Sequence, residues 1–272
     1  MVRSLWSAAT GMNAQQTNVD TIANNLANVN TVGYKAQTAQ FKSLLYQTLQ
    51  TATTTANGDP KPTTSQVGLG VRNSSINTSF RQGSLLSSSS STSFAIEGDG
   101  FFAIKGSDGN TYYTRNGDFT WAINSNRELM LTNQDGLPVL DTNGQNITVP
   151  GDRVASRITI GQDGTLYYPD GNNVPQSMGK TIGLSQFNNP GGLKRKGDTL
   201  WEITAASGEV MNESTNNNVV KSRIVQNYLE GSNVQVADEM VNLIVAQRAY
   251  EMNSKAITTS DEMMQTANNL KR

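Results

Sequence analysis

Leu5-Trp6-Ser7-Ala8-Ala9-Thr10-Gly11-Met12-Asn13-Ala14-Gln15-Gln16-Thr17-Asn18-Val19-Asp20-Thr21-Ile22-Ala23-Asn24-Asn25-Leu26 repeats its apolar residues every seventh position. Leu5, Met12, Val19 and Leu26 form one row, and Ala8, Gln15, Ile22 and Val29 form a companion row three residues on. Two such rows over more than three heptads predict a helix with a coiled-coil-like seam. Ser4 is placed to cap it and Gly33 to stop it in the left-handed conformation, which bounds the helix at about 4–30.

The C-terminus repeats this pattern. Val236, Leu243, Tyr250, Ile257 and Met264 are spaced by seven, with Ala246, Asn253, Ser260 and Ala267 as the second row. Ser232-Asn233-Val234-Gln235 reads as a capping box, with Ser232 as the cap. Asp238 and Glu239 near the start, and Lys271 and Arg272 at the end, complement the helix dipole. A second helix is expected over about 233–270.

Between the ends the period changes. Thr51 to Gln66, rich in Thr, Pro and Gly, reads as a long loop or extended arm. Beyond Val67 short apolar runs alternate with turn pairs: Asp108-Gly109, Asn116-Gly117, Asp135-Gly136, Asn143-Gly144, Asp163-Gly164 and Asp170-Gly171. Glu97-Gly98-Asp99-Gly100, flanked by Phe94-Ala95-Ile96 and Phe101-Phe102-Ala103-Ile104, predicts a tight hairpin. Strands are expected at Thr111–Arg115, Phe119–Ile123, Arg157–Ile160 and Thr165–Tyr168, and Ser87 to Ser91 is open between loop and strand edge. The fold class is α+β: terminal helices forming a coiled-coil-like assembly domain (1–33 and 232–272), an extended connecting arm (34–75, with a loop at 46–66) and a central antiparallel β domain (76–231).

Composition narrows the chemistry. The 272 residues carry a formal charge of −1 with 16% charged side chains, and contain no His and no Cys. Thiol nucleophiles, disulfides, Cys/His zinc sites and His bases are therefore excluded, and a nucleic-acid footprint of basic charge is missing. No apolar run approaches the length of a membrane span, and Asn13, Gln15, Gln16 and Asn18 come too early for a cleaved leader. Asp99, Asp108, Asp118 and Asp135 read as turn formers, because none sits in a calcium-loop pattern. No convergent acid/base set or cofactor motif is present. An enzyme is not expected, and no catalytic, cofactor or metal residues are assigned. In the first 33 residues only Arg3 and Asp20 are charged, so the outer face of the first helix suits packing against other chains better than solvent.

Several stretches carry a resemblance. Gly11-Met12-Asn13-Ala14-Gln15-Gln16-Thr17, Ile22 through Lys35, Gly98-Asp99-Gly100-Phe101-Phe102, Tyr228-Leu229-Glu230-Gly231-Ser232-Asn233-Val234 and Gln247-Arg248-Ala249-Tyr250-Glu251 together resemble the bacterial flagellar rod and hook family. Within the family the likeness is strongest to its distal rod members, in length, in the segment between Tyr46 and Val67, and in Asn212-Glu213-Ser214-Thr215. The resemblance implies a subunit exported without a cleaved signal, polymerising with copies of itself into a rigid hollow tube that transmits torque. It further implies hook and proximal rod proteins, periplasmic and outer-membrane ring proteins, the export apparatus and a rod cap as partners. Nucleic acid, membrane insertion and cofactors are not implied.

Expected subunit-interface residues are Leu5, Met12, Val19, Ile22, Asn24, Asn25, Leu26, Asn28 and Val29 at one end. Val236, Met240, Leu243, Arg248, Tyr250, Ile257 and Met264 are expected at the other. The resemblance adds a rod-stiffening loop containing Tyr46, Gln47, Thr48, Pro60 and Pro62. The alternatives are a hook or proximal rod subunit, or a secreted carbohydrate-binding β protein using Tyr112, Tyr113, Trp121, Tyr167 and Tyr168.

Overall fold

The computed structural model describes residues 2–50, 65–171, 173–197, 199–216 and 219–270. The chain divides into two compact units. One, the helical unit, comprises 1–27, 37–78 and 235–272; the other, the β unit, comprises 28–36 and 79–234.

In the helical unit, helix α1 spans Val2–Ala27 and helix α2 spans Val236–Asn269. Alanines and long unbranched side chains favour both helices, and neither contains proline. The two run antiparallel. Ser4 Oγ lies 3.5 Å from Ser260 Oγ, Asn25 Nδ2 donates to Glu239 Oε1 at 3.2 Å, and Gly11 faces the Asn253 amide midway between them. A Cβ on Gly11 would stand 2.8 Å from Asn253 Nδ2, so the missing side chain is what admits the amide.

Both expected helix limits are corrected. Ser4 lies inside α1 and is not its cap. The helix stops at Ala27, and Asn28 turns the chain by accepting from Thr31 N–H (3.2 Å) and Thr31 Oγ1 (3.1 Å). Gly33 (φ 69°) serves a separate turn, where its N–H donates to Glu230 O at 2.8 Å and a Cβ would lie 2.6 Å from Asn116 N. At the other end no capping box forms. Helix α2 begins after Gln235, while Ser232 Oγ accepts from Val234 N–H in a local turn.

The stretch expected as an extended arm is hydrogen-bonded sheet where it is described. Strand β1 (Gln37–Ser43) pairs antiparallel with β4 (Val71–Thr78), and β2 (Tyr46–Gln50) with β3 (Ser65–Gly68). Tyr46, Gln47 and Thr48 therefore belong to a strand, opposite Gly68, Val67 and Gln66. Pro60 and Pro62 lie outside the described residues. Polar side chains of α1 hold this ladder: Thr10 Oγ1 accepts from Val71 N–H (3.4 Å), and Asn73 Nδ2 donates to Thr17 Oγ1 (2.6 Å).

The β unit is antiparallel. Its largest sheet orders the strands Lys194–Gly197, Leu200–Glu202, Thr111–Thr114, Phe101–Lys105, Leu184–Phe187 and Val210–Asn212. Alternation sends Phe102, Ile104, Tyr112 and Leu184 into one core, and Phe101, Ala103, Tyr113 and Trp201 into another on the opposite face. The second core is largely aromatic, with Phe80 edge-on to Phe101 and Trp201 at 5.5 and 5.0 Å.

Glu97-Gly98-Asp99-Gly100 does not close a hairpin. Phe94–Glu97 pairs with Arg223–Gln226, whereas Phe101–Lys105 pairs with Thr111–Thr114 and Leu184–Phe187, so the turn carries the chain between sheets. A distant group decides this. Ser222 presses on both glycines and accepts from Gly100 N–H at 2.9 Å, while Glu213 takes Ser222 N–H and Oγ–H at 2.7 and 2.8 Å. Leu85–Ser87 pairs with Tyr228–Glu230, which makes Ser87 the end of a strand; Arg157 lies in a short 3-10 turn ahead of Thr159–Ile160.

Candidate functional site

The faces of the two helices sort by polarity. The groups that pair α1 with α2, and α1 with its ladder, are small or polar: Ser4, Gly11, Asn25, Thr10 and Thr17, with Ala8, Ala14 and Ile22 buried beside them. On α2, Ala246 and Ser260 are buried, and Leu243, Asn253, Ile257 and Met264 are half-buried on the same side. The opposite side of α2 is open and carries a group of apolar side chains around Arg248. Met240 is 51% exposed, Val241 60%, Ile244 55%, Val245 61% and Met252 64%. Apolar patches of this kind on one helix face mark a surface meant to be covered.

Of the expected interface residues, Leu5, Met12, Val19 and Leu26 are half-buried, as are Asn28 and Val29 beyond the helix end. Ile22 is enclosed within the subunit, and so is Asn25. The Asn25 amide accepts from Gln37 N–H (2.9 Å) and donates to Gln37 O (2.7 Å) and Glu239. Asn24 Nδ2 reaches Gln37 Oε1 at 3.4 Å. Val236 and Tyr250 are exposed, and Arg248 is exposed and pairs with Glu251 at 2.9 Å.

The β unit holds a buried ion cluster that the motifs did not announce. Glu230 is fully buried and accepts from Lys35 Nζ (2.6 Å), Gly83 N–H (2.9 Å) and Arg115 Nη1 (3.3 Å), so both carboxylate oxygens are satisfied. Arg115 also stacks over the Phe101 ring, 4.9 Å from its centroid. Burial pushes the Lys35 ammonium below its ordinary range despite the attraction of Glu230, and lowers Arg115 in the same way. Beside the cluster, Asn233 accepts from Ala36 N–H (2.7 Å) and donates to Ser79 O (2.8 Å) and Arg81 O (3.0 Å). These contacts join segments far apart in sequence and leave no local signal, although Lys35, Glu230 and Asn233 all lie in stretches that carry the family resemblance.

Residues 5–35 match the family described as flagella basal body rod protein, 95–168 the flagellar hook protein FlgE/F/G D1 domain, and 225–270 the flagellar basal body rod FlgEFG protein C-terminal family. The chain is 47% identical to the flagellar basal-body rod protein FlgG of Borreliella burgdorferi, over 100% of both chains. It is 42% identical to the protein of that name from Agrobacterium fabrum, covering 96% of this chain and 97% of the relative. It is 34% identical to the flagellar hook-basal body complex protein FlhP of Bacillus subtilis, over 100% of both. This chain belongs to the flagellar basal-body rod protein family.

As a member of that family it is a structural protein of the distal rod type. The glycine pair at 98 and 100 and the Asn212-Glu213-Ser214-Thr215 stretch, far apart in the chain, meet at Ser222. The carbohydrate-binding alternative finds no support: Tyr112 and Tyr113 are buried on opposite faces of one sheet and Trp121, Tyr167 and Tyr168 are half-buried. The aspartates are held within turns, Asp108 by Tyr112 OH (2.6 Å) and Asp135 by Asn133 Nδ2 (3.0 Å). Among the described residues no helix is long and apolar enough to cross a membrane.

Proposed function

We propose that the subunit polymerises with copies of itself through the open face of α2 (Met240, Val241, Ile244, Val245 and Met252) and the Leu5, Met12, Val19 and Leu26 row of α1. The product is a hollow rod that carries torque and lets exported subunits pass. Val236 and Tyr250 lie at the margin of this contact, and Arg248, four residues from both Ile244 and Met252, lies within it. Hook and proximal rod proteins adjoin the ends of the polymer, ring proteins surround it across the periplasm and outer membrane, and an export apparatus and cap deliver subunits without a cleaved signal. The strand pair at Tyr46–Gln50 and Ser65–Gly68 is the base of the segment that stiffens the tube.

One observation carries this reading: the polar contacts that close the subunit on itself come from small and amide side chains, while Met240, Val241, Ile244, Val245 and Met252 of α2 remain outside. Covering the exposed part of each such side chain contributes about 1 kcal/mol, and several act at once in every subunit. Charge inserted there tests the idea. Val241→Asp and Met252→Asp should leave the soluble subunit folded, because both sites are exposed, yet prevent rod growth in cells and polymerisation of purified protein. Polymers of normal length from both variants would overturn the assignment.

A further inference from the structure

The backbone passes between the two units four times, after residues 27, 36, 78 and 234. Three of these passages meet at one side chain on the β-unit side. Asn233, one residue before the last passage, accepts from Ala36 N–H and donates to the carbonyls of Ser79 and Arg81. Ser79 N–H returns a bond to Ala36 O at 2.8 Å. An amide is the side chain that fits, since the position needs one acceptor and two donor hydrogens together. Aspartate would set negative charge against two carbonyls, and alanine would strand the Ala36 N–H.

We propose that Asn233 is a load-sharing clasp, a positioning residue that makes these three backbone passages one mechanical element. In a rod that carries torque, force travels through whatever covalent backbone links one part of a subunit to the next. Separate strands take such a load one at a time, and the most stretched yields first. Strands cross-tied at their roots take it together. The adjacent Glu230 cluster gives the clasp a rigid seat, because Gly83 N–H and Lys35, two residues from Arg81 and one from Ala36, are fixed on the same carboxylate.

This inference rests on the rod reading for its load, and its test separates the two. In the soluble subunit, Asn233→Ala should speed hydrogen exchange at Ala36 by about tenfold, the size expected for one lost hydrogen bond, and leave Phe102 and Ile104 unchanged. In cells whose only rod subunit is Asn233→Ala, swimming should match the parent in dilute medium and fail in viscous medium, with broken hook-rod pieces shed. A disulfide between Ala36→Cys and Ser79→Cys, in a chain without other cysteines, should restore viscous swimming to Asn233→Ala. Equal performance at both viscosities, unchanged exchange at Ala36, or no rescue by the disulfide would overturn the clasp. If Asn233→Ala built no rods at all, rescue by the disulfide would still decide for it and lack of rescue against it. Failure of the unaltered chain to support any rod would instead overturn the rod reading, while the exchange result stands on its own.

Discussion

Ile96 in the β unit and Ile244 on α2 are the same side chain put to opposite uses. Ile96 is 0% exposed, packed among Phe94, Phe102 and Ile224 in a closed apolar core, whereas Ile244 is 55% exposed on a helix whose other side is bound through serine and asparagine. The β unit is finished as a single molecule: both faces of its main sheet are covered, and the buried charges of Glu230, Lys35 and Arg115 are paired. The helical unit is held together with small and polar groups and keeps much of its apolar surface in reserve. A part that must hold its shape before assembly closes its core internally. A part whose partner is another copy keeps its strongest contacts for that copy.

The largest effect is expected where the β unit is most committed. Glu230→Ala leaves Lys35 and Arg115 buried without their shared carboxylate, a loss of about 3–5 kcal/mol. Urea unfolding followed through the fluorescence of buried Trp201 measures it, and a midpoint equal to the parent's would show that the cluster does not hold the unit together. No charge is buried in this way in the described part of the helical unit, so the same loss is not available there.

The two isoleucines give the next contrast. Ile96→Ala should destabilise the isolated subunit by about 2–5 kcal/mol through a cavity that its neighbours cannot close. Ile244→Ala should stay within about 0.5 kcal/mol of the parent in the same assay. In polymerisation the order reverses: Ile244→Ala raises the concentration needed for assembly, while folded Ile96→Ala subunits assemble at the parent's concentration. Equal effects of the two substitutions on assembly would remove the distinction between the units.

How much of this was written in the sequence depends on distance along the chain. The heptads placed both helices, since a period of seven is a local property, and the Asp-Gly and Asn-Gly pairs placed turns such as Gly109, Gly136 and Gly164, each with positive φ. Choosing which helical row meets which neighbour was a different matter. The apolar rule sends Leu5, Met12, Val19 and Leu26, with Ala8 and Ile22 in the companion row, to the seam; Ala8 and Ile22 are buried, and Ser4, Gly11 and Asn25, which that rule passes over, also meet the partner helix. The turn at residues 97–100 carried hairpin residues and still changed sheets, because Ser222 and Glu213 act on it from over a hundred residues away. Glu230 with Lys35, and Asn233 with Ala36, are likewise long-range pairs. A single chain read from end to end shows their residue types but not their meeting.

The smallest effect sharpens the comparison from the helical side. Glu239 lies in the first turns of α2 and takes the Asn25 amide, and partial burial raises its carboxyl above the ordinary 4.5, with nearby Asp238 adding repulsion and the Asn25 bond opposing. A carboxyl raised on folding binds its proton more tightly in the folded state. Its contribution to stability is therefore present at pH below 4.5 and is lost as the pH climbs through the folded value. The helical signal in urea should accordingly weaken as pH rises above the ordinary carboxyl value. Glu239→Gln should flatten that limb while keeping the Asn25 contact, since an amide oxygen accepts in the same place. Persistence of the slope in Glu239→Gln would move its origin to another carboxyl. Its disappearance would show that even the polar seam of the helical unit holds its ionised form at a cost, as expected of a joint left weak until neighbouring copies close over it.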